Sequence, residues 1–215
     1  MDELHRFEQS LRSNQSVFDV DLSSDVLGGL SAYYSLLMRW NPRLHLVAPC
    51  SPEEFAMRHV LESLILLQYM DQGARVVDVG SGAGLPIIPC LIVRPDLSAI
   101  LIESSTKKSV FLKEALRKLD KTNNATVVCA RFEDTEAPEA DFLSCRALDQ
   151  FSNKVSALLK WVRPGTSLLF FGGDSISEEL RKEQIHFEHV HIPHSERRSL
   201  FVSHKPQFIK PASRE

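Results

Sequence analysis

The spacing of apolar residues changes near residue 74 and divides the chain into two parts. Before that point apolar residues recur every three or four positions, as in an amphipathic helix. The clearest series is Leu27, Leu30, Tyr34 and Leu37. We predict that this helix ends at Trp40-Asn41-Pro42, because proline disfavours helical backbone in the residue before it.

A second helix is predicted to begin at Ser51-Pro52-Glu53-Glu54 and to run through Phe55 and His59 towards Leu67. A serine caps a helix N-terminus, proline suits the first helical position, and two acidic residues favour its positive end. We therefore expect residues 1–70 to form an N-terminal helical extension.

From Ala74 onward, strand-like runs alternate with helix-like segments. The runs lie at 75–79, 98–102, 125–130, 141–145 and 167–171, with helices at 85–93, 106–119 and 149–162. A short helix near 177–184 precedes two further runs, 187–192 and 200–204, which we expect to pair antiparallel. This alternation predicts an α/β fold, a doubly wound and mostly parallel Rossmann-like sheet of seven strands. We assign it to residues 71–206 and expect 207–215 to be a mobile tail.

Composition is that of an ordinary globular protein, with 43% hydrophobic and 25% charged residues among 215. No run approaches the ~20 apolar residues of a membrane helix, and the first residues do not resemble a secretory signal. The four cysteines form no CxxC pair, which is typical of reduced thiols in the cytoplasm. The net charge of -3 means that any nucleic-acid partner must bind a locally basic face. We expect a cytoplasmic monomer.

A glycine-rich turn, Asp78-Val79-Gly80-Ser81-Gly82-Ala83-Gly84, follows the first strand of the predicted sheet. Ligands of open α/β sheets bind at this edge, and glycine allows the backbone to approach them closely. A dinucleotide fingerprint, G-x-G-x-x-G, wants its third glycine where Leu85 stands. The spacing G-x-G-x-G after an acidic strand end resembles motif I of class I methyltransferases, whose ligand is S-adenosylmethionine. A turn that merely joins strand to helix is the plain alternative.

Polar residues at the ends of the next two strands favour a nucleoside ligand. Glu103 closes the second strand 23 residues after Gly80, where a carboxylate accepts hydrogen bonds from both ribose hydroxyls. NAD enzymes use the same feature, so it does not choose between the two cofactors. Phe132 and Glu133 follow the third strand, where an adenine would stack and hydrogen-bond, although Phe132 is equally suited to the core.

Ordered motifs along most of the chain, from Tyr34 to His204, resemble the glucose-inhibited division protein B (GidB/RsmG) family. These motifs are Trp40-Asn41, Leu44-His45-Leu46, Arg58-His59-Val60-Leu61-Glu62-Ser63, 77–86, Glu103-Ser104, Lys107-Lys108, Phe111-Leu112, Arg131, Ser144-Cys145-Arg146-Ala147 and Glu196-Arg197. The family methylates N7 of a guanine in bacterial small-subunit (16S) ribosomal RNA. The resemblance implies an S-adenosylmethionine-dependent methyltransferase with the class I fold.

The resemblance also implies roles for particular residues. It places cofactor contacts at Gly80, Leu85, Phe132, Glu133 and Arg146, and it places Arg131, Arg146 and Arg197 near the cofactor and the RNA. The chain departs from the family pattern at four places. His45-Leu46-Val47 stands for Asn-Leu-Thr, Glu62 for aspartate, an inserted Cys145 precedes Arg146, and Gly172-Gly173 stands for Lys-Gly.

Methylation of guanine N7 does not require a general base from the protein. N7 carries a free lone pair and no proton, so positioning is the main contribution. An arginine that holds O6 leaves N7 free, and we expect Arg146, with Arg131, to act in catalysis. RNA contacts are expected from two basic clusters. These are Lys107 and Lys108, at the start of a basic helix face, and Arg197 and Arg198, between the last two strands.

Three other interpretations compete with this one. Histidines at 186, 189, 191 and 194 suggest a metal site, but no cysteine or carboxylate set completes it, so we expect none. We interpret His59 as a buried, hydrogen-bonded histidine rather than a catalyst. An NAD-dependent oxidoreductase and a non-catalytic RNA-binding or assembly protein on the same fold remain alternatives.

Overall fold

The computed structural model describes residues 2–146 and 150–204, and the described part of the chain contains one large sheet. The predicted tail at 207–215, the domain end at 206 and the predicted helix start at 149 lie outside these ranges. The strands are β1 Arg75–Val79, β2 Ser98–Ile102, β3 Ala125–Val128, β4 Phe142–Arg146, β5 Ser167–Gly172, β6 Glu188–His191 and β7 Ser199–Ser203.

The sheet has seven strands in the order β3-β2-β1-β4-β5-β7-β6, which confirms the predicted fold class. Strands β1 to β5 are parallel, and β7 pairs antiparallel with both β5 and β6. The predicted antiparallel pair is confirmed, although the sequence did not indicate that β7 lies between β5 and β6. The chain leaves β1 towards β2 and β3 and returns to β4 on the other side of β1. This reversal opens a crevice at the carboxyl ends of β1 and β4.

Helices cover both faces of the sheet. They are α1 Glu3–Asn14, α2 Ser24–Leu44, α3 Pro52–Phe55, α4 Glu62–Leu64, α5 Ile87–Val93, α6 Thr106–Lys118, α7 Phe151–Trp161 and α8 Asp174–Lys182. A π-helix, Ala56–Leu61, joins α3 to α4, and 3-10 helices lie at Gln15–Phe18, Ile65–Tyr69 and Phe132–Asp134. None of the helices in the described ranges is both long enough and apolar enough to cross a membrane.

Helix α2 continues through Pro42, so the prediction that it ends at Trp40-Asn41-Pro42 is wrong. Proline removes one hydrogen bond from a helix, and here that loss falls in the last turn, where few bonds remain. The helix ends instead at Leu44. The following residue, His45, adopts left-handed backbone with φ 50° and donates its N–H to the Asn41 carbonyl at 2.9 Å. The Asn41 side chain exchanges two hydrogen bonds with the Val47 backbone, at 3.0 and 3.1 Å, and holds the following turn.

The second predicted helix is confirmed and extends to Tyr69 as a series of helical turns. The Ser51 hydroxyl accepts a hydrogen bond from the Glu54 N–H at 3.1 Å, and Pro52 occupies the first helical position. These contacts satisfy an N-terminal amide that a helix leaves free.

The helical extension shares its hydrophobic core with one face of the sheet. Phe7 stacks on Tyr34 at 4.4 Å, and both belong to the buried cluster that includes Leu101 of β2. The opposite face packs against α7 and α8 in a second cluster. The buried Tyr33 hydroxyl of α2 donates to the Ala83 carbonyl at 2.8 Å, so the extension also supports the glycine turn.

Candidate active site

A cleft of about 720 Å³ opens at the carboxyl ends of β1, β2 and β4, the edge predicted for a ligand. The glycine turn, the end of β2 and the segment before α3 form its walls. Its lining residues are Leu46, Val47, Ala48, His59, Gly80, Ser81, Gly82, Ala83, Leu85, Glu103, Ser104, Ser105, Lys108, Arg131, Arg146, Gln150 and Lys154.

The glycine turn depends on backbone conformations that favour glycine. Gly80, Gly82 and Gly84 have φ values of 76°, 52° and 86°. The N–H groups of Gly80 and Ser81 both donate to the Ile102 carbonyl, at 2.9 and 3.2 Å, which ties the turn to β2. A Cβ at Gly84 would lie 2.3 Å from Ile88 Cδ1, so only glycine fits without movement of neighbouring side chains. The turn therefore presents bare backbone to the cleft.

Glu103 is held in one orientation at the end of β2. One carboxylate oxygen accepts the Gly82 N–H at 2.9 Å, and the other accepts the Ser105 N–H at 2.7 Å. The residue is only 7% exposed, yet it lines the cleft. Each oxygen keeps capacity for another donor, so the carboxylate can accept two neighbouring hydroxyl groups, as on a ribose.

Asp78 lies beneath the turn rather than in the cleft wall, and β1 continues one residue further to Val79. One carboxylate oxygen accepts the Ser144 hydroxyl at 2.5 Å, while the other is buried without a hydrogen-bond partner among the described residues. Burial, and to a smaller extent the charge of Glu103, raise the pKa of Asp78 to about 7. The Asp78 backbone carbonyl also accepts the Ser81 hydroxyl at 3.0 Å, so Asp78 supports the turn from below.

Arg146 ends β4 and reaches across the cleft to the π-helix and α4. Its Nη1 donates to the Ser63 hydroxyl at 3.2 Å, and its Nη2 donates to the Arg58 carbonyl at 2.5 Å and to Glu62 at 3.2 Å. The guanidinium lies 5.2 Å from the Phe171 ring centroid. Burial lowers the pKa of Arg146 from its ordinary value. The group is held rigidly beside the ligand space.

The predicted residues after β3 occupy different environments. Arg131 is exposed and lines the cleft. The Phe132 ring is 3% exposed and packs edge-on against Trp161 at 5.6 Å, so it belongs to the core and does not line the cleft. Glu133 is exposed at the rim, with an oxygen 3.7 Å from Lys154 Nζ.

Of the four predicted RNA-contacting residues, Lys108 alone is among the lining residues of the cleft, and the four differ in exposure. Lys108 lines the cleft, and Lys107 beside it is exposed. Arg197 is exposed between β6 and β7. Arg198 points inward instead, and its Nη2 donates to Glu62 at 2.5 Å.

The cleft also contains residues that were not predicted as site residues, among them His59, Gln150 and Lys154. The His59 ring packs against Phe55 at 5.1 Å between centroids. Burial, and then the charges of nearby arginines, lower its pKa to about 3, so the ring is neutral at pH 7. Gln150 and Lys154 line the cleft because α7 starts at the carboxyl edge of β4. No spacing in the sequence marks these two residues.

The histidines near the end of the chain were predicted not to form a metal site. His189 and His191 lie 4.8 Å apart between ring centroids, and His189 Nε2 is hydrogen-bonded to the Ser199 hydroxyl at 2.6 Å. Among residues 2–146 and 150–204, no group of three or more His, Cys, Asp or Glu side chains is arranged to hold a metal ion.

Known proteins resemble this chain along most of its length. The family model described as rRNA small subunit methyltransferase G (GidB) matches residues 27–204. The Ribosomal RNA small subunit methyltransferase G of Xanthomonas campestris pv. campestris is 41% identical over 160 residues, 74% of either chain.

Two solved structures are similar at the level of the fold. A SAM-dependent methyltransferase from Aquifex aeolicus superposes with a TM-score of 0.59 and 14% identity, covering 80% of this chain and 97% of that one. An RNA methyltransferase from Salinibacter ruber, solved with S-adenosyl-L-homocysteine, has a TM-score of 0.57 and 16% identity, with coverage of 79% and 100%.

Proposed function

The chain belongs to the rRNA small subunit methyltransferase G (GidB) family, and from this premise we propose that it methylates N7 of a guanine in 16S ribosomal RNA. The methyl donor is S-adenosylmethionine, as in the family. The observation that carries the proposal is the family match over residues 27–204, to which Glu103 adds a ribose-binding carboxylate fixed at the cleft by two backbone N–H groups.

The residues of the cleft match the chemistry of the cofactor. Glu103 offers acceptors to the ribose hydroxyls, and the glycine turn offers backbone without side chains to the amino-acid portion. Arg146 and Lys108 offer positive charge to a carboxylate. We assign cofactor binding to Gly80, Gly82, Leu85, Glu103, Glu133 and Arg146, and to Asp78 and Gly84 through the turn. Phe132 is not assigned a contact of its own, because its ring lies in the core against Trp161.

Catalysis in this proposal is positioning. The bound cofactor supplies a methyl group activated by its sulfonium. That methyl would go to guanine N7, leaving S-adenosylhomocysteine, and the residues of the cleft would have no proton to move. Arg146 donates to guanine O6 and leaves N7 free, and Arg131 contacts the RNA at the rim. Good orientation contributes about 7–11 kcal/mol to such a reaction. The neutral His59 is not required as a base.

RNA binding is assigned to the cations around the opening. We assign phosphate contacts to Lys108, which lines the cleft, and to Lys107 and Arg197, which are exposed. Arg198 contributes from its partly buried position. We propose that the monomeric protein acts in the cytoplasm on 16S ribosomal RNA or on the small ribosomal subunit.

The NAD-dependent alternative is disfavoured by the first turn of α5. A pyrophosphate binds free N–H groups at a helix N-terminus. Here the Ile88 N–H donates to the Gly84 carbonyl at 2.7 Å, and Pro89 has no N–H. Calorimetry tests this directly, with S-adenosylmethionine expected to bind and NAD not. The variants Gly80→Arg and Glu103→Lys are expected to abolish cofactor binding, and if they bind as wild type does, the site assignment is wrong.

The decisive experiment follows labelled methyl transfer to unmodified small subunits and to naked 16S RNA, with the modified base mapped afterwards. Arg146→Ala is expected to lose transfer, whereas Arg163→Ala, at the opposite edge of the sheet, is expected to retain it. Cofactor binding without transfer to any RNA overturns the enzymatic function and favours a non-catalytic assembly protein.

A further inference from the structure

Glu62 is a buried carboxylate shared by two arginines from distant parts of the chain. It is 2% exposed. One oxygen accepts Arg146 Nη2 at 3.2 Å, and the other accepts Arg198 Nη2 at 2.5 Å. We propose that Glu62 is a positioning residue that fixes these two guanidinium groups relative to each other. The role rests on the proposed function, in which Arg146 holds the target base and Arg198 the surrounding RNA.

The π-helix makes room for this arrangement. The Glu62 N–H donates to the carbonyl of Met57, five residues earlier, instead of to that of Arg58. The Arg58 carbonyl accepts Arg146 Nη2 at 2.5 Å. Ser63, next to Glu62, accepts Arg146 Nη1 at 3.2 Å. The widened turn thus presents three acceptors to one guanidinium.

Arg198 depends on Glu62 more heavily. The Arg198 Nε is buried without a hydrogen-bond partner among the described residues. The guanidinium pairs with the Glu62 carboxylate through Nη2. The side chain is 33% exposed, so it extends from the buried carboxylate towards the surface. Loss of the negative charge would leave two neighbouring cations without their shared partner, and they would separate.

The consequence for catalysis is selective. Glu62 does not line the cleft, so its loss leaves the cofactor contacts of the glycine turn and Glu103 in place. The distance between the base-holding and RNA-holding groups changes instead. A displacement of about 1 Å in such a group costs on the order of 100-fold in rate.

The test compares Glu62→Gln with Glu62→Asp. We expect Glu62→Gln to lower kcat/KM for the RNA by about 100-fold. The Kd for S-adenosylmethionine is expected to rise by no more than about 10-fold, because only the Arg146 contact is loosened while the glycine turn and Glu103 stay in place. Glu62→Asp keeps the charge but shortens the side chain by one methylene at a site where both arginines are placed for glutamate, so an intermediate loss of about 10-fold is expected. Glu53→Gln is the control for losing a carboxylate–arginine pair outside the cleft, because Glu53 pairs with Arg6 in a more exposed setting.

A double-mutant cycle separates positioning from mere stability. If Glu62 acts through Arg198, Glu62→Gln combined with Arg198→Gln is no worse than Glu62→Gln alone. Transfer by Glu62→Gln at the wild-type rate, or multiplying losses in the double variant, overturns the proposal. If Glu62→Gln does not fold, Glu62→Asp decides, and activity within twofold of wild type overturns it.

A second readout does not depend on methyl transfer. NMR of the arginine Nε–H groups reports whether the guanidinium groups are immobile. We expect Arg146 and Arg198 to become mobile in Glu62→Asp, with Glu53→Gln unchanged. If wild type transfers no methyl group, the proposed function fails, while the NMR comparison still decides the positioning role. Unchanged arginine mobility refutes that role.

Discussion

Gly84 offers a sharp test of the structure of the glycine turn. A Cβ at this position would lie 2.3 Å from Ile88 Cδ1, 2.7 Å from Ile88 Cγ1 and 3.2 Å from Leu112 Cδ2. The backbone φ is also +86°, in the region that L residues rarely adopt. Gly84→Ala therefore combines backbone strain with a steric clash.

Gly165→Ala isolates the first of these effects. Gly165 has nearly the same φ, +87°, but a Cβ there meets nothing within 4 Å. Left-handed backbone costs an L residue about 1–2 kcal/mol, and overpacking a buried site costs about 1–3 kcal/mol more. We expect Gly165→Ala to lower the free energy of unfolding by about 1–2 kcal/mol and Gly84→Ala by about 2–5 kcal/mol.

Urea denaturation measures both values, and calorimetry measures the Kd for S-adenosylmethionine. Only Gly84→Ala is expected to raise the Kd for S-adenosylmethionine, by at least about 10-fold, because the Gly82 N–H that holds Glu103 belongs to the same turn. Equal stabilities of the two variants would refute the packing argument. Unchanged cofactor affinity in Gly84→Ala would refute the role of the turn.

Three further predictions concern neighbouring groups. Glu103→Gln keeps the shape of the side chain but weakens its acceptors, and we expect a 10- to 100-fold rise in the calorimetric Kd (about 1.4–2.8 kcal/mol). The pKa of Asp78 is raised to about 7, so the folded state binds a proton more tightly than the unfolded state. Wild type should therefore lose stability as pH rises from about 4 to 7, by about 1.4 kcal/mol per unit of pKa difference, and urea melts of Asp78→Asn should lack this loss. Tyr33→Phe removes the hydrogen bond to the Ala83 carbonyl and is expected to cost about 1 kcal/mol in the same melts. A flat profile for wild type, or no change in Tyr33→Phe, would contradict the corresponding contact.

Local patterns predicted the strands and the ligand edge well. β1 and β2 have the predicted bounds, since apolar runs bounded by turn residues encode buried strands. The position of Glu103 after β2 followed from the same pattern, and the structure places it in the cleft. The predicted end of α2 was wrong because Pro42 lies in the last turn of the helix, where it removes a single backbone hydrogen bond and the helix can continue to Leu44.

The pattern of apolar and polar residues did not predict the burial or the partners of individual side chains. Phe132 follows β3 at the ligand edge, yet its ring turns into the core against Trp161. Arg198 looks like a surface cation in the sequence, yet it pairs with the buried Glu62. These outcomes depend on which distant elements meet.

By itself, the sequence determined the fold class, the glycine turn and the position of Glu103 directly after β2, because each depends on residues close together in the chain. Only the tertiary structure decided that Asp78 supports the turn from below, that His59 is neutral, and that Glu62 joins Arg146 to Arg198. Those properties arise from burial and from charges brought together across long stretches of chain. Glu62 and Arg198, for example, are 136 residues apart in sequence, yet Arg198 Nη2 lies 2.5 Å from Glu62 Oε1.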